Sequence, residues 1–194
     1  MDDIKISLNS DDQPRRADFV KNRDLLLQTA RRLFNQQGVE QVSMYDIAKA
    51  AGVGQGTLYR HFENKMELAM ALLDADHRDW QDRTLSVMRQ PADALTKLDW
   101  FITEALQFVD RNSQLLCVST DIIGSMQHTA HWWWRQTIRG LLDEVHSPTN
   151  RDFLADTIYM MLDVHNVYFM RQMRNVSLAD LTANFLQFVH HLIS

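Results

Sequence analysis

Hydrophobic positions recur at helical intervals along most of this chain, and the pattern predicts a helix-only fold. From about Asp18 a stripe of Phe19, Leu25, Leu26, Ala30, Leu33 and Phe34 runs to Gly38, which reads as a C-terminal stop. Before it, residues 1–14 are polar and acidic, lack aromatics and end at Pro14, so residues 1–17 are expected to be a frayed tail. Ser43-Met44-Tyr45-Asp46 reads as a capping box that opens a short helix ending at Gly52. A third short helix is expected over Gln55–Phe62. Asn64 and Glu67 then cap a long helix to about Gln90, and Pro91 suits the start of another over 92–111. Shorter helical segments are expected over 113–122 and 125–145. Ser147-Pro148-Thr149-Asn150 is the clearest later loop. Two closing helices follow at 151–174 and 178–193, the last with Ser177 as cap and Asp180 at its third position. The sum is an all-α protein of about nine helices. Residues 18–66 would form an N-terminal three-helix domain and residues 67–194 a larger helical one.

Composition narrows the class. Gly (6) and Pro (3) are too scarce for a turn-rich β fold. One cysteine, Cys117, excludes an intrachain disulfide and a paired-cysteine zinc site, which favours the cytoplasm. The start lacks a basic segment followed by an apolar stretch, and no run nears the roughly 18 apolar residues of a membrane span. Secreted and membrane classes are therefore not expected. The net charge of −5 is unevenly spread: −3 over residues 1–14, +4 over 15–65 and −6 over 66–194. A basic module on an acidic body can still attract phosphate, because that attraction acts within about 8–10 Å.

The sharpest signal lies inside the basic stretch. Ala48-Lys49-Ala50-Ala51-Gly52-Val53-Gly54 followed by Gln55–Phe62 has the grammar of a helix-turn-helix. Ala48 and Ala51 let two backbones approach, Gly52 allows the positive-φ turn, and Val53 can fill the space between the helices. Leu58 and Phe62, four apart, would face the core. Gln55, Tyr59 and Arg60 would then face outward, with Thr57 and His61 on the flanks, a set compact enough for a major groove. The run from Tyr45 to Lys65 resembles the DNA-binding signature of TetR-family transcriptional regulators. With the preceding helix the match spans about residues 20–68. Gly54 departs from it, standing where the family usually places Ser or Ala, and Tyr45 falls where the family varies.

The resemblance implies groove and phosphate contacts from Gln55, Gly56, Thr57, Tyr59, Arg60 and His61. It implies a phosphate contact from Lys65 and backbone contacts from Ser43 and Tyr45. It further implies a homodimer on double-stranded operator DNA, most simply a repressor released by a small-molecule effector held in the second domain. No cofactor, membrane or enzymatic activity is expected. No nucleophile–base motif, Walker loop or Rossmann fingerprint is present. The rival readings are a helical ligand-binding protein that does not bind DNA and a metal-responsive regulator.

Residues 67–194 carry no such motif. Apolar residues go nearly all round 151–174, and a helix apolar on every face must be buried on every face. Leu181, Phe185, Phe188 and Leu192 in the last helix lie at heptad-like spacing, and a second chain is the simplest cover. Trp132, Trp133 and Trp134 are consecutive and cannot share one helix face. Glu104 has Trp100, Phe101 and Phe108 as helical neighbours, and a carboxylate among aromatics is costly unless paired. Asp163, near Tyr159, and His165 have similar settings. One reading is a pocket for an amphipathic or cationic ligand lined by Trp100, Glu104, Phe108, Trp133, Tyr159, Asp163 and His165. The other is internal ion pairing or snorkelling. His128 and His131, with Cys117 and Asp121 upstream, carry a weaker metal reading without a third ligand at fixed spacing.

Overall fold

A computed structural model describes residues 12–118, 129–145 and 150–193. Among these residues there are α-helices and one π-helical turn and no strand. The chain divides into two compact units, Met1–Leu72 and Leu73–Ser194.

The first unit holds α1 (Asp12–Gln37), α2 (Met44–Ala51), α3 (Gln55–His61) and the first turns of α4 (Lys65–Met88). Helix α1 starts at Asp12 instead of Asp18, because Pro14 falls in the first turn, where its missing N–H is not needed. The first eleven residues of the expected tail lie outside the described residues. Leu26, Ala30, Leu33 and Phe34 of α1, Ile47 and Ala48 of α2 and Leu58 of α3 are buried, with α1 packed on α2 and α2 on α3. Phe19 and Leu25, read as part of that stripe, stay substantially exposed. The Ser43–Asp46 capping box forms with both bonds, and Gly52 takes φ 69° at the turn. Gly38, at φ 86° after α1, and Gly52 both take a left-handed conformation in which a side chain would strain the backbone.

The second unit holds the rest of α4, α5 (Ala94–Val118), α6 (Thr129–Val145), α7 (Arg151–Met161), α8 (Val164–Tyr168), a π turn at Phe169–Met173 and α9 (Leu178–Ile193). Asp93 caps α5 by accepting from Thr96 N at 2.9 Å, so the helix begins at Ala94 and not at 92. Phe108, Val109, Asn112 and Leu115 are buried, and the helix runs past residue 111 to Val118. The single helix expected over 151–174 is broken. Asp163 offers its carboxylate to His165 N at 2.8 Å and so ends one helix and caps the next. Arg171 holds the π turn, donating to Asp110 at 2.8 Å and to the Val176 carbonyl at 2.7 Å.

Helices α6 and α7 are clamped by an ionic ladder. Arg135 pairs with Asp156 and Asp152, and Arg139 reaches Asp152 at 2.8 Å and Asp143 at 2.5 Å. The Arg139 hydrogen bond, with further attraction from Arg139 and Arg135, holds the Asp152 carboxyl below the usual carboxylate range. No helix among the described residues is long and apolar enough to cross a membrane.

Candidate nucleic-acid interface

Helix α3 is seven residues long and has one apolar anchor line. Leu58 and Phe62 are buried, and removing each from water contributes about 1.5–3 kcal/mol to holding the helix in place. That anchoring turns Gln55, Gly56, Tyr59 and Arg60 outward, and all four are exposed. Arg60 Nε donates to the Gly56 carbonyl at 3.2 Å, which lays the side chain along the helix and leaves the rest of the fork facing outward. Thr57 is half-buried. Gly54 caps the helix without a side-chain bond, since glycine has no side chain to supply one.

On α2, Ser43 and Tyr45 are exposed, with the Lys49 ammonium 5.9 Å from the centre of the Tyr45 ring. The Ser43 hydroxyl and amide both donate to the Asp46 carboxylate, which keeps it below its ordinary pKa. Ser43 therefore spends its side chain on the helix start.

Two residues expected to meet DNA are otherwise engaged. His61 is half-buried and lies against Phe19, ring centres 4.0 Å apart. Burial, then the positive charges of Arg23 and Arg60, push its pKa below the ordinary histidine value, so it is neutral near pH 7. Lys65 is the larger correction. Its ammonium donates to the carbonyls of Val39 (2.8 Å), Val42 (3.1 Å) and Glu40 (3.3 Å), across the connection between α1 and α2. Those three acceptors match the three hydrogens of an ammonium.

In the second unit the structure gathers only part of the expected ligand set. Phe108 and Trp133 belong to an aromatic cluster with His77, Trp80, Phe101 and Trp134. Tyr159 joins its edge beside Trp134 and shares a hydrogen bond with His131. Glu104 is paired with Arg83, which also reaches Asp79 at 3.2 Å, so its carboxylate is not an open ligand for a cation. Asp163 and His165 are bonded to each other as the cap of α8, which accounts for both without a ligand. Trp100 is half-buried. Sequence reasoning missed His77, Trp80 and Arg83; the spacing of His77, Trp80 and Thr84 along one helical face was the available signal.

The expected dimer set divides as well. Leu181 and Phe185 are buried in this chain's own core with Val189 and Ile193, whereas Phe188 is 44% exposed and Leu192 half-buried. Also exposed are Phe153 at 68% and Met160 at 54% on α7, and Met173 at 71% in the π turn. Asp121 and His128 of the metal reading lie outside the described residues. Among the described residues no three metal-ligating side chains converge.

Residues 26–72 match the profile of the bacterial regulatory proteins of the tetR family. An HTH-type transcriptional regulator of Staphylococcus aureus is 44% identical over 61 residues, 31% of this chain and 33% of that protein. The chain thus matches about a third of the length of such relatives. Similar folds occur in a TetR-family transcriptional regulator from Pectobacterium atrosepticum (TM-score 0.72, 21% identity, covering 92% of this chain and 97% of that one). A transcriptional regulator from Saccharomonospora viridis in complex with choline is also similar (TM-score 0.75, 21% identity, 90% and 98% covered). So is FadR from Bacillus subtilis in complex with stearoyl-CoA (TM-score 0.67, 19% identity, 85% and 96% covered).

Proposed function

We propose that this chain, whose residues 26–72 match the profile of the tetR family of bacterial regulatory proteins, is a homodimeric repressor that binds a palindromic operator and is released by a small molecule. The observation that carries the reading is the two-sided build of α3. Leu58 and Phe62 fix one side in the core, and Gln55, Tyr59 and Arg60 are exposed on the other. Gln55 and Arg60 read base edges, since an amide and a guanidinium make paired bonds to adenine and guanine. Tyr59, Tyr45 and the helix-start backbone at Gly56 contact phosphates and set the register. Thr57 supports the same surface from its flank. Lys65 acts from behind, holding the loop on which α2 is mounted.

Two copies of α3 enter successive major grooves, about 34 Å apart, which calls for a twin chain. The outward apolar side chains of α7 and α9, including Phe153, Met160 and Phe188, support that pairing. Burying three such side chains against a partner is worth several kcal/mol before the cost of association. The effector sits in the second unit. Structures similar in fold have been described with choline and with stearoyl-CoA, which supports a small-molecule ligand. Whatever the molecule, it must bind the DNA-competent and DNA-incompetent forms unequally, because equal affinity shifts nothing. Such a regulator works in the cytoplasm, where its DNA is.

The test is fluorescence anisotropy with labelled DNA from the flank of the protein's own gene, against scrambled DNA of equal length. Preference for the flank should exceed about a thousandfold at physiological salt. Equal affinity for both would leave a helical ligand-binding protein as the better reading.

A further inference from the structure

Among the described residues of the second unit's aromatic cluster, one buried side-chain polar atom lacks a hydrogen-bond partner. Trp134 Nε1–H donates to His77 Nε2 at 3.0 Å, the Tyr159 hydroxyl and His131 Nδ1 are hydrogen-bonded, and Glu104 is held by Arg83. Trp80 differs. It is fully buried, and its indole Nε1–H has no hydrogen-bond partner. Its ring is stacked at 26° on both Phe101 and Phe108, with centres at 4.9 and 5.5 Å. Those two residues stand seven apart on α5, about 10 Å along the helix, so the indole lies between them with both faces covered. A phenylalanine at position 80 would stack in the same sandwich without stranding a buried donor, which costs folding free energy. The N–H is a liability for packing alone and an asset for recognition.

We propose that the effector is a flat, largely apolar molecule, neutral or anionic, that carries an oxygen acceptor and bonds it to Trp80 Nε1–H. The proposal rests on the reading that the second unit holds the effector, and adds its chemical class. Trp133 and Tyr159 of the cluster are half-buried, and under this proposal a ligand enters past them. Cations are poorly served. The π faces of Trp80 are taken by Phe101 and Phe108, and the nearby Glu104 carboxylate is neutralised by Arg83. A site that offers a donor and no open acceptor selects against positive charge.

Three probes of similar shape separate the alternatives: 9-fluorenone, fluorene (which lacks the carbonyl) and N-methylacridinium. Calorimetric titration of the full chain should rank fluorenone about fivefold or more above fluorene, with acridinium weakest. In protein carrying 15N-indole tryptophan, fluorenone should move the Trp80 Nε1–H resonance downfield, and fluorene should not. The Trp80→Phe variant identifies that resonance by its loss, and it should bind fluorenone and fluorene equally. Equal affinity for the two in the native chain overturns the proposal, as do tighter binding of acridinium, no binding of any probe, or an unmoved Trp80 resonance. The native-chain comparison needs no variant to fold. DNA binding measured alongside keeps the two readings apart. A chain that binds its flanking DNA but none of the probes loses only the effector class. One that ranks the probes as expected but ignores DNA loses only the repressor.

Discussion

Replacing Lys65 by Met keeps the hydrocarbon stem and removes the ammonium that ties α4 to the carbonyls of Val39, Glu40 and Val42. A hydrogen bond from a charged donor is worth about 1.5–3 kcal/mol, and less where solvent competes. The Val39 and Val42 bonds are partly buried and the Glu40 bond is exposed and longest, so the first two dominate. Ordering the lysine stem costs up to about 2 kcal/mol, which these hydrogen bonds must offset. The net loss is therefore about 2–3 kcal/mol, confined to the first unit. For a unit of this size that lowers its melting temperature by about 10–20 °C. Hydrogen exchange of the α2 and α3 amides, compared between native and Lys65→Met protein, reads the loss where it occurs. Measured well below the melt, the slope of log affinity for DNA against log salt should stay within half a unit of native. A phosphate ligand would instead flatten it by about one. Native-like stability together with a slope reduced by one would refute the clamp and return Lys65 to the DNA surface.

Arg60→Ala and Gln55→Ala should lower discrimination between operator and scrambled DNA by about 1–3 kcal/mol per lost paired contact, whereas Tyr59→Ala should weaken both DNAs alike; anisotropy titrations on the two DNAs separate these outcomes. Phe188→Asp should shift sedimentation from dimer to monomer with little change in helix content, while Phe185→Ala should destabilise the second unit by about 3–5 kcal/mol in denaturant titrations. Because the folded pKa of His61 lies below the ordinary 6.5, the unfolded chain binds more protons as pH falls through that value. First-unit stability should thus be complete above about pH 6.5 and decline below it, a slope that His61→Gln should remove in melts between pH 7 and 5. Glu104→Gln should leave the affinity for N-methylacridinium unchanged and lower thermal stability, since its partner is Arg83; selective loss of cation binding would contradict that pairing.

The helix-turn-helix was legible because its rules are local. A capping residue, small residues at close approach, a glycine at positive φ and two anchors four apart all fall within twenty residues, and each has a steric reason. Lys65 was not legible in the same way. Its identity says donor, but its acceptors depend on where residues 39–42 travel, which periodicity does not specify. The break at Asp163 was readable in principle, because an aspartate two residues before a histidine amide competes with a continuing helix. In the last helix two stripes share Leu181 and Phe185. Val189 and Ile193 continue the one facing the chain's own core, while Phe188 and Leu192 continue the other. Sequence spacing does not say which stripe the chain keeps for itself. Glu104 was recognisable as needing a partner, yet the partner stands on another helix, twenty-one residues earlier.

All five tryptophans, at positions 80, 100, 132, 133 and 134, fall in the second unit, while Tyr45 and Tyr59 stand exposed on the first. Tyr159 and Tyr168 lie in the second unit too, so tyrosine is shared between the units and tryptophan is not. Excitation near 295 nm therefore addresses only the unit proposed to hold the effector. A stepwise melt would give a tryptophan trace blind to loss of the helix-turn-helix, offset from the circular-dichroism trace that counts both. Any change in tryptophan emission produced by operator DNA would be a signal written in one unit and read in the other. Its amplitude would be a direct optical measure of the coupling on which regulation depends.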